Sequence, residues 1–142
     1  SDLYENFLAN LNGWDDLKGG VPQPKIRIHS ISHNTGGGIP SKFFGDFLKP
    51  RGLSAELDNL WDPPRIMQEF ANWRGVSGKE CYEIWHGGQG ALVVVDSADA
   101  GFVIEHAKEF GVAAKKAGEI TKSEHPTLKI TSGFSGEELT WS

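Results

Sequence analysis

Three consecutive glycines, Gly36–Gly38, stand between a segment that alternates like a strand and one that carries a helical stripe. Glycine has no Cβ, so three together leave a run of bare amides where a strand hands over to a helix. A second cluster, His86-Gly87-Gly88-Gln89-Gly90, precedes the most apolar run of the chain, Ala91–Val95. Successive backbone N–H groups beside a helix N-terminus favour an anion. Gly36, Gly37 and Gly38, with the Thr35 hydroxyl, are therefore candidate phosphate-binding positions, as are Gly88 and Gly90. His33 and His86 precede the two loops at equivalent places, where each can hydrogen-bond a phosphate or shuttle a proton near neutral pH. Glycines also serve as turns at strand–helix corners. Neither cluster is a Walker A loop or a dinucleotide fingerprint, so spacing alone names no ligand.

At 142 residues the length is that of one domain. Five Trp and eight Phe supply large buried area. The formal net charge is −5 with charges spread along the chain, and the one basic pair, Lys115-Lys116, makes no nucleic-acid face. Cys81 has no cysteine to pair with and reads as a small buried hydrophobe, which fits a reducing, cytoplasmic setting. No apolar run approaches the ~18 residues of a membrane span. The five His are scattered. His29 and His33 lie four apart but straddle a strand end and a loop, so no metal site is expected. The acidic pairs Asp15/Asp16 and Asp58/Asp62 read as surface or turn positions, and Trp61, before two prolines, as a candidate pocket wall.

Apolar periodicity predicts a helix over 3–11, a loop over 15–24, a strand over 25–32 and a helix carrying Phe43, Phe44, Phe47 and Leu48. A strand follows over 53–58. Pro63-Pro64 opens a helix with Ile66, Met67, Phe70 and Trp73 facing inward, stopped at Gly75. Ser77 and Glu80 form a capping box for a helix to about Trp85. Ala91–Asp96, apolar on both faces, is expected to be a central strand. Ser97 is expected to cap a helix to Phe110, and strands are predicted over 112–120, 127–131 and 138–141. The fold class is α+β, a mixed sheet covered by helices, because the last strands follow one another without intervening helices.

From about Ile28 to Ile130 the chain resembles the C-terminal domain of AIR synthase, phosphoribosylformylglycinamidine cyclo-ligase. That family's His-Ile-Thr-Gly-Gly-Gly segment stands here as His33-Asn34-Thr35-Gly36-Gly37-Gly38. Its Trp-x-x-Pro stretch looks like Trp61-Asp62-Pro63-Pro64, and its Glu-Met-Tyr and Gly-x-Gly segment like Glu80-Cys81-Tyr82 and Trp85 to Ala91. Its terminal Ile-Gly-x-Ile strand looks like Ala117-Gly118-Glu119-Ile120. Two departures stand out. Ser41-Lys42 replaces the family's Glu-Asn, which makes Lys42 a candidate phosphate contact, and His86 replaces an Asn.

The resemblance implies a single C-terminal-type domain over 1–142, cut from a parent whose N-terminal domain binds ATP and Mg2+ with an acidic segment that is absent here. It implies a ribonucleotide substrate, with His33 as the residue that orients it or moves a proton. In that chemistry an amide oxygen is phosphorylated, and the neighbouring amidine nitrogen then closes an imidazole ring. The N-terminal domain is then the partner, a homodimer is possible for the parent, and the isolated domain is expected to be monomeric. Two alternatives belong beside this reading. One is a sibling ATP-dependent phosphorylating enzyme of the selenophosphate synthetase, thiamine-monophosphate kinase, hydrogenase-maturation or amidine synthetase type. The other is a non-catalytic ligand-binding domain.

Overall fold

The computed structural model describes residues 2–15, 17–34 and 36–142. The chain forms two compact units, one of residues 1–31 and 93–116 and the other of residues 32–92 and 117–142. The element mix is α+β, as expected: four α-helices, a π-helix and short 3-10 turns with antiparallel and parallel strand pairs among the described residues.

In the first unit, α1 (Asp2–Leu11) buries Phe7, Leu8 and Leu11, the spacing that predicts it. The Phe7 ring meets His106 and Phe110 of the segment around α4 (Ala100–Glu109), with centroids about 6 Å apart. Asn10 donates its amide N–H to the Asp15 carboxylate, so its oxygen is left to accept from His106 Nε2 at 2.6 Å. The expected loop over 15–24 contains a hairpin instead, β1 (Leu17–Lys18) with β2 (Val21–Pro22). Gly19 and Gly20 take φ of +61° and +79°, the primed two-residue turn that matches strand twist. The cap of the following helix also differs from expectation. Ser97 starts a 3-10 turn, Ser97–Asp99, and makes no side-chain cap to α4.

β3 (Ile28–His33) and β5 (Ala91–Val95) pair as a two-stranded sheet. This corrects the reading of Ala91–Asp96 as central: only Leu92 of β5 is buried. An unbroken apolar run records the preference for an apolar face, not how many neighbours the strand has.

The centre of the second unit is β4 (Leu53–Leu57). In the sheet order β6-β4-β7-β8 it pairs antiparallel with β6 (Glu119–Lys122) and parallel with β7 (Leu128–Thr131). β8 (Glu138–Trp141) closes the order antiparallel to β7. Ala55 and Leu57 on β4 and Leu128 and Ile130 on β7 are all buried. The strand predicted over 112–120 is formed only from Glu119. Residues 112–118 run irregularly after α4, carrying Lys115 and Lys116 without alternation.

Helices pack on this sheet. The helix Pro40–Leu48 buries Phe43, Phe44, Phe47 and Leu48, the predicted stripe. It is wound as a π-helix, ending with the Lys49 N–H on the Phe44 carbonyl. α2 (Arg65–Arg74) turns the opposite way from expectation. Ala71 is its buried residue, while Ile66 is 75% and Trp73 76% exposed. The aromatic stripe packs on itself instead, Phe70 meeting Trp73 and Trp85 edge to face. α3 (Gly78–Ile84) carries the expected capping box. The Glu80 N–H donates to Ser77 Oγ, and the Ser77 N–H donates to the Glu80 carboxylate. Cys81 and Tyr82 on α3 are fully buried. No helix among the described residues is long and apolar enough to cross a membrane.

Two outcomes follow from α3. The Ser77 backbone N–H and then its hydroxyl hold the Glu80 carboxyl below its ordinary value. A depressed carboxylate stabilises above its unfolded value, about 4.3, and that contribution is lost as pH falls through the lower folded-state value. Ser77→Ala removes the hydroxyl that accepts the Glu80 N–H and donates to its carboxylate, and lowers the melting temperature at pH 7. The gap from wild type narrows below pH 4, measured by circular-dichroism melts. A gap that is constant across that range rules out the linkage. Burial, then the Glu80 charge, push the Cys81 thiol up. Its reaction with a disulfide reagent at pH 8 is expected to be about 100-fold slower in the native chain than in denaturant. Equal rates exclude the buried, neutral thiol.

Candidate functional site

The two glycine loops lie side by side in the second unit, and one residue joins them. The Asn34 backbone N–H donates to the Gly90 carbonyl at 3.1 Å, and its side-chain Nδ2 donates to the Gln89 carbonyl at 3.2 Å. Asn34 is only 5% exposed, and among the described residues its Oδ1 is a buried acceptor without a hydrogen-bond partner. Gln89, 3% exposed, fastens a third segment. Its Oε1 accepts from the Trp61 N–H at 2.7 Å, and its Nε2 donates to the Trp61 carbonyl at 3.2 Å and the Gly87 carbonyl at 2.7 Å. One buried amide thus satisfies both main-chain groups of the Trp61 turn, the outcome expected when polar groups leave water.

Several of the glycines are bare because the protein itself fills the space. A Cβ on Gly38, where φ is +58°, would lie 1.9 Å from the Tyr82 carbonyl oxygen. On Gly87 it would meet the Tyr82 ring at 2.5 Å, and on Gly88 the Asp62 carbonyl oxygen at 2.7 Å. The two loops are therefore held against α3 and the Trp61–Pro64 turn by backbone-close packing. Gly36 differs. Beyond its chain neighbours, no atom of the described residues lies within 4 Å of a Cβ built there. Packing among the described residues does not ask for glycine at position 36.

The remaining predicted residues fall as follows. Thr35 lies outside the described residues. Gly37 adopts φ +88° and its carbonyl accepts from the Ser41 N–H. Lys42 is exposed, in the first turn of the π-helix. His33 is exposed at the end of β3. His86 is half-buried, and its Nδ1 accepts the Gly88 N–H at 2.9 Å, so the imidazole ties its own loop. That bond occupies the Gly88 amide as the loop stands and leaves the His86 proton on Nε2. Among the described residues no group of three or more His, Cys, Asp or Glu can hold a metal ion. Sequence reasoning passed over Asn34 and Gln89. The available signal was an amide side chain beside each glycine cluster, Asn34 standing where the resembled segment has Ile.

Residues 14–131 match the family model described as AIR synthase related protein, C-terminal domain. Among curated proteins the chain is 34% identical over 96 residues to the phosphoribosylformylglycinamidine cyclo-ligase of Nitrosococcus oceani, covering 67% of this chain and 26% of that protein. It is 33% identical over 96 residues to that of Desulfotalea psychrophila, with the same coverage of 67% and 26%. To that of Staphylococcus carnosus it is 27% identical over 110 residues, covering 75% of this chain and 31% of that protein. The chain thus spans between about a quarter and a third of the length of these relatives. With the family model covering most of its length, the chain belongs to the AIR synthase related protein, C-terminal domain family.

Proposed function

We propose that this chain is the C-terminal, substrate- and phosphate-binding half of an ATP-dependent phosphoribosylformylglycinamidine cyclo-ligase of purine biosynthesis. The observation that carries the reading is the junction of the two glycine loops through Asn34, with Gly36 bare where packing does not require it. A backbone stripped of Cβ at an open position lets an anion approach the amides closely. The cyclo-ligase names of the relatives support the choice of reaction.

In this reading Thr35 and Gly36–Gly38 receive the phosphate of a ribonucleotide, and Gly90 borders it across the Asn34 junction. Lys42 brings one positive charge to the same end of the π-helix. Gly88 takes part through His86, whose ring holds its amide and fixes the loop's shape. His33, exposed at the lip of the triple-glycine loop, orients the substrate or moves a proton. ATP with Mg2+ supplies the phosphoryl group that turns the amide oxygen into a leaving group. In this reading the metal ligands come from the N-terminal ATP-binding domain of the same parent. That domain is the proposed partner, in a cytoplasmic enzyme.

Two substitutions separate binding from folding. Gly38→Ala places a methyl against the Tyr82 carbonyl in a left-handed backbone. It should destabilise the chain by about 3 kcal/mol or more. Gly36→Ala should change stability by no more than about 0.5 kcal/mol, while weakening binding of ribose 5-phosphate by about tenfold, read by calorimetric titration. Unchanged affinity in Gly36→Ala removes that amide from the site. In the full-length parent, His33→Ala should lower turnover by about 100-fold or more. Wild-type turnover in that variant takes His33 out of the mechanism.

A further inference from the structure

We infer that His86 is a proton-operated latch on this site: its neutral ring keeps the Gly88 amide closed, and its protonated ring releases that amide to an anion. The inference rests on the phosphate-site reading above and adds its regulation, the uptake of a proton together with the anion.

As the loop stands, His86 Nδ1 accepts the Gly88 N–H at 2.9 Å, which requires a lone pair on that nitrogen. An imidazolium carries a proton on both ring nitrogens and accepts nothing. A proton taken from water onto Nδ1 therefore breaks this bond. It leaves two donors, the Gly88 N–H and the new Nδ1–H, where there was one donor and one acceptor. An anion satisfies both donors and meets the added positive charge. The ring is not the loop's sole fastening. The Gln89 N–H donates to the His86 carbonyl at 3.1 Å, and Gln89 Nε2 donates to the Gly87 carbonyl at 2.7 Å. Gly87 is also held against the Tyr82 ring, and Gly88 against the Asp62 carbonyl. The amide thus keeps its place when the ring swings away, and what moves is one half-buried side chain. The Asn34 bonds to Gln89 and Gly90 set this loop beside the triple-glycine loop. Anion binding and proton binding at the latch then favour each other.

The titratable residues packed on the loop are Tyr82 of α3, by its ring, and Asp62 of the Trp61 turn, by its main chain. His33 and Lys42 flank the triple-glycine loop across the Asn34 junction. Burial pushes the Tyr82 phenol up, away from neutrality. Imidazoles are the side chains that ordinarily change charge between about pH 6 and 8, so His33 is the control for His86.

The probe is sulfate, whose charge is constant over that range, so any proton taken up belongs to the protein. It is titrated calorimetrically into the 142-residue chain at fixed ionic strength, with melts as a control for folding. Wild type should bind sulfate about tenfold more tightly at about pH 6 than at about pH 8. His86→Asn supplies an amide oxygen that can accept the Gly88 N–H but does not titrate. It should bind with the same affinity at both pH values, whereas His33→Gln should keep the wild-type ratio. The ring-nitrogen NMR shifts of His86 in wild type give a readout that needs no variant. Sulfate added near pH 7 should convert the ring from the Nε2–H form to the doubly protonated form. The latch is overturned and the phosphate site stands in any of four cases: wild type shows no preference for the lower pH, it binds ribose 5-phosphate but no sulfate, His86→Asn keeps the preference, or the ring shifts do not respond to bound sulfate. If wild type binds neither sulfate nor ribose 5-phosphate at either pH, the phosphate-site reading falls and the latch falls with it.

Discussion

The buried amide pair Asn34 and Gln89 holds the two glycine loops and the Trp61 turn of the second unit together. Three irregular segments meet there, and irregular backbone presents polar groups that helix and sheet ladders would otherwise satisfy. Asn34 answers the carbonyls of Gln89 and Gly90, while Gln89 answers Trp61 and Gly87. Without these bonds, buried carbonyls and amides of three loops would stand unpaired, at roughly 1–3 kcal/mol for each group.

Around that junction, close packing and openness divide the glycines by purpose. Gly38, Gly87 and Gly88 let α3 and the Trp61 turn come within backbone contact of the loops. Gly36 has no such neighbour. Structure and chemistry thus sort a cluster that looks uniform in sequence. The buried Tyr82 is a hub of this packing. It backs Gly38 with its carbonyl and Gly87 with its ring, and its hydroxyl accepts the Gly133 N–H. Burial raises its pKa, which keeps the phenol protonated in that role.

Much of the local structure was legible beforehand. The capping box at Ser77 and Glu80 is a signal of neighbouring residues and appears as read. The stripe Phe43, Phe44, Phe47 and Leu48 is buried as read, although its winding as a π-helix leaves no mark in residue spacing. The Gly19-Gly20 hairpin was available in the sequence as a two-residue primed turn, and the surrounding Pro and Gly content hid it. The family resemblance, carried by motifs in order around both glycine loops, agrees with the family match.

By itself the sequence determined what depends on near neighbours: the capping box of Ser77 and Glu80, glycine positions, the fold class and the family. Only the tertiary structure decided what depends on partners distant in the chain. It placed β4 rather than β5 at the centre of the larger sheet and turned Ala71 rather than Ile66 and Trp73 inward. It also brought Asn34, Gln89 and Trp61 into one hydrogen-bonded junction across 55 and 28 residues of chain. Periodicity shows that a face is apolar but not which element covers it, and an amide's two hydrogen-bonding ends carry no address until the fold brings their partners near.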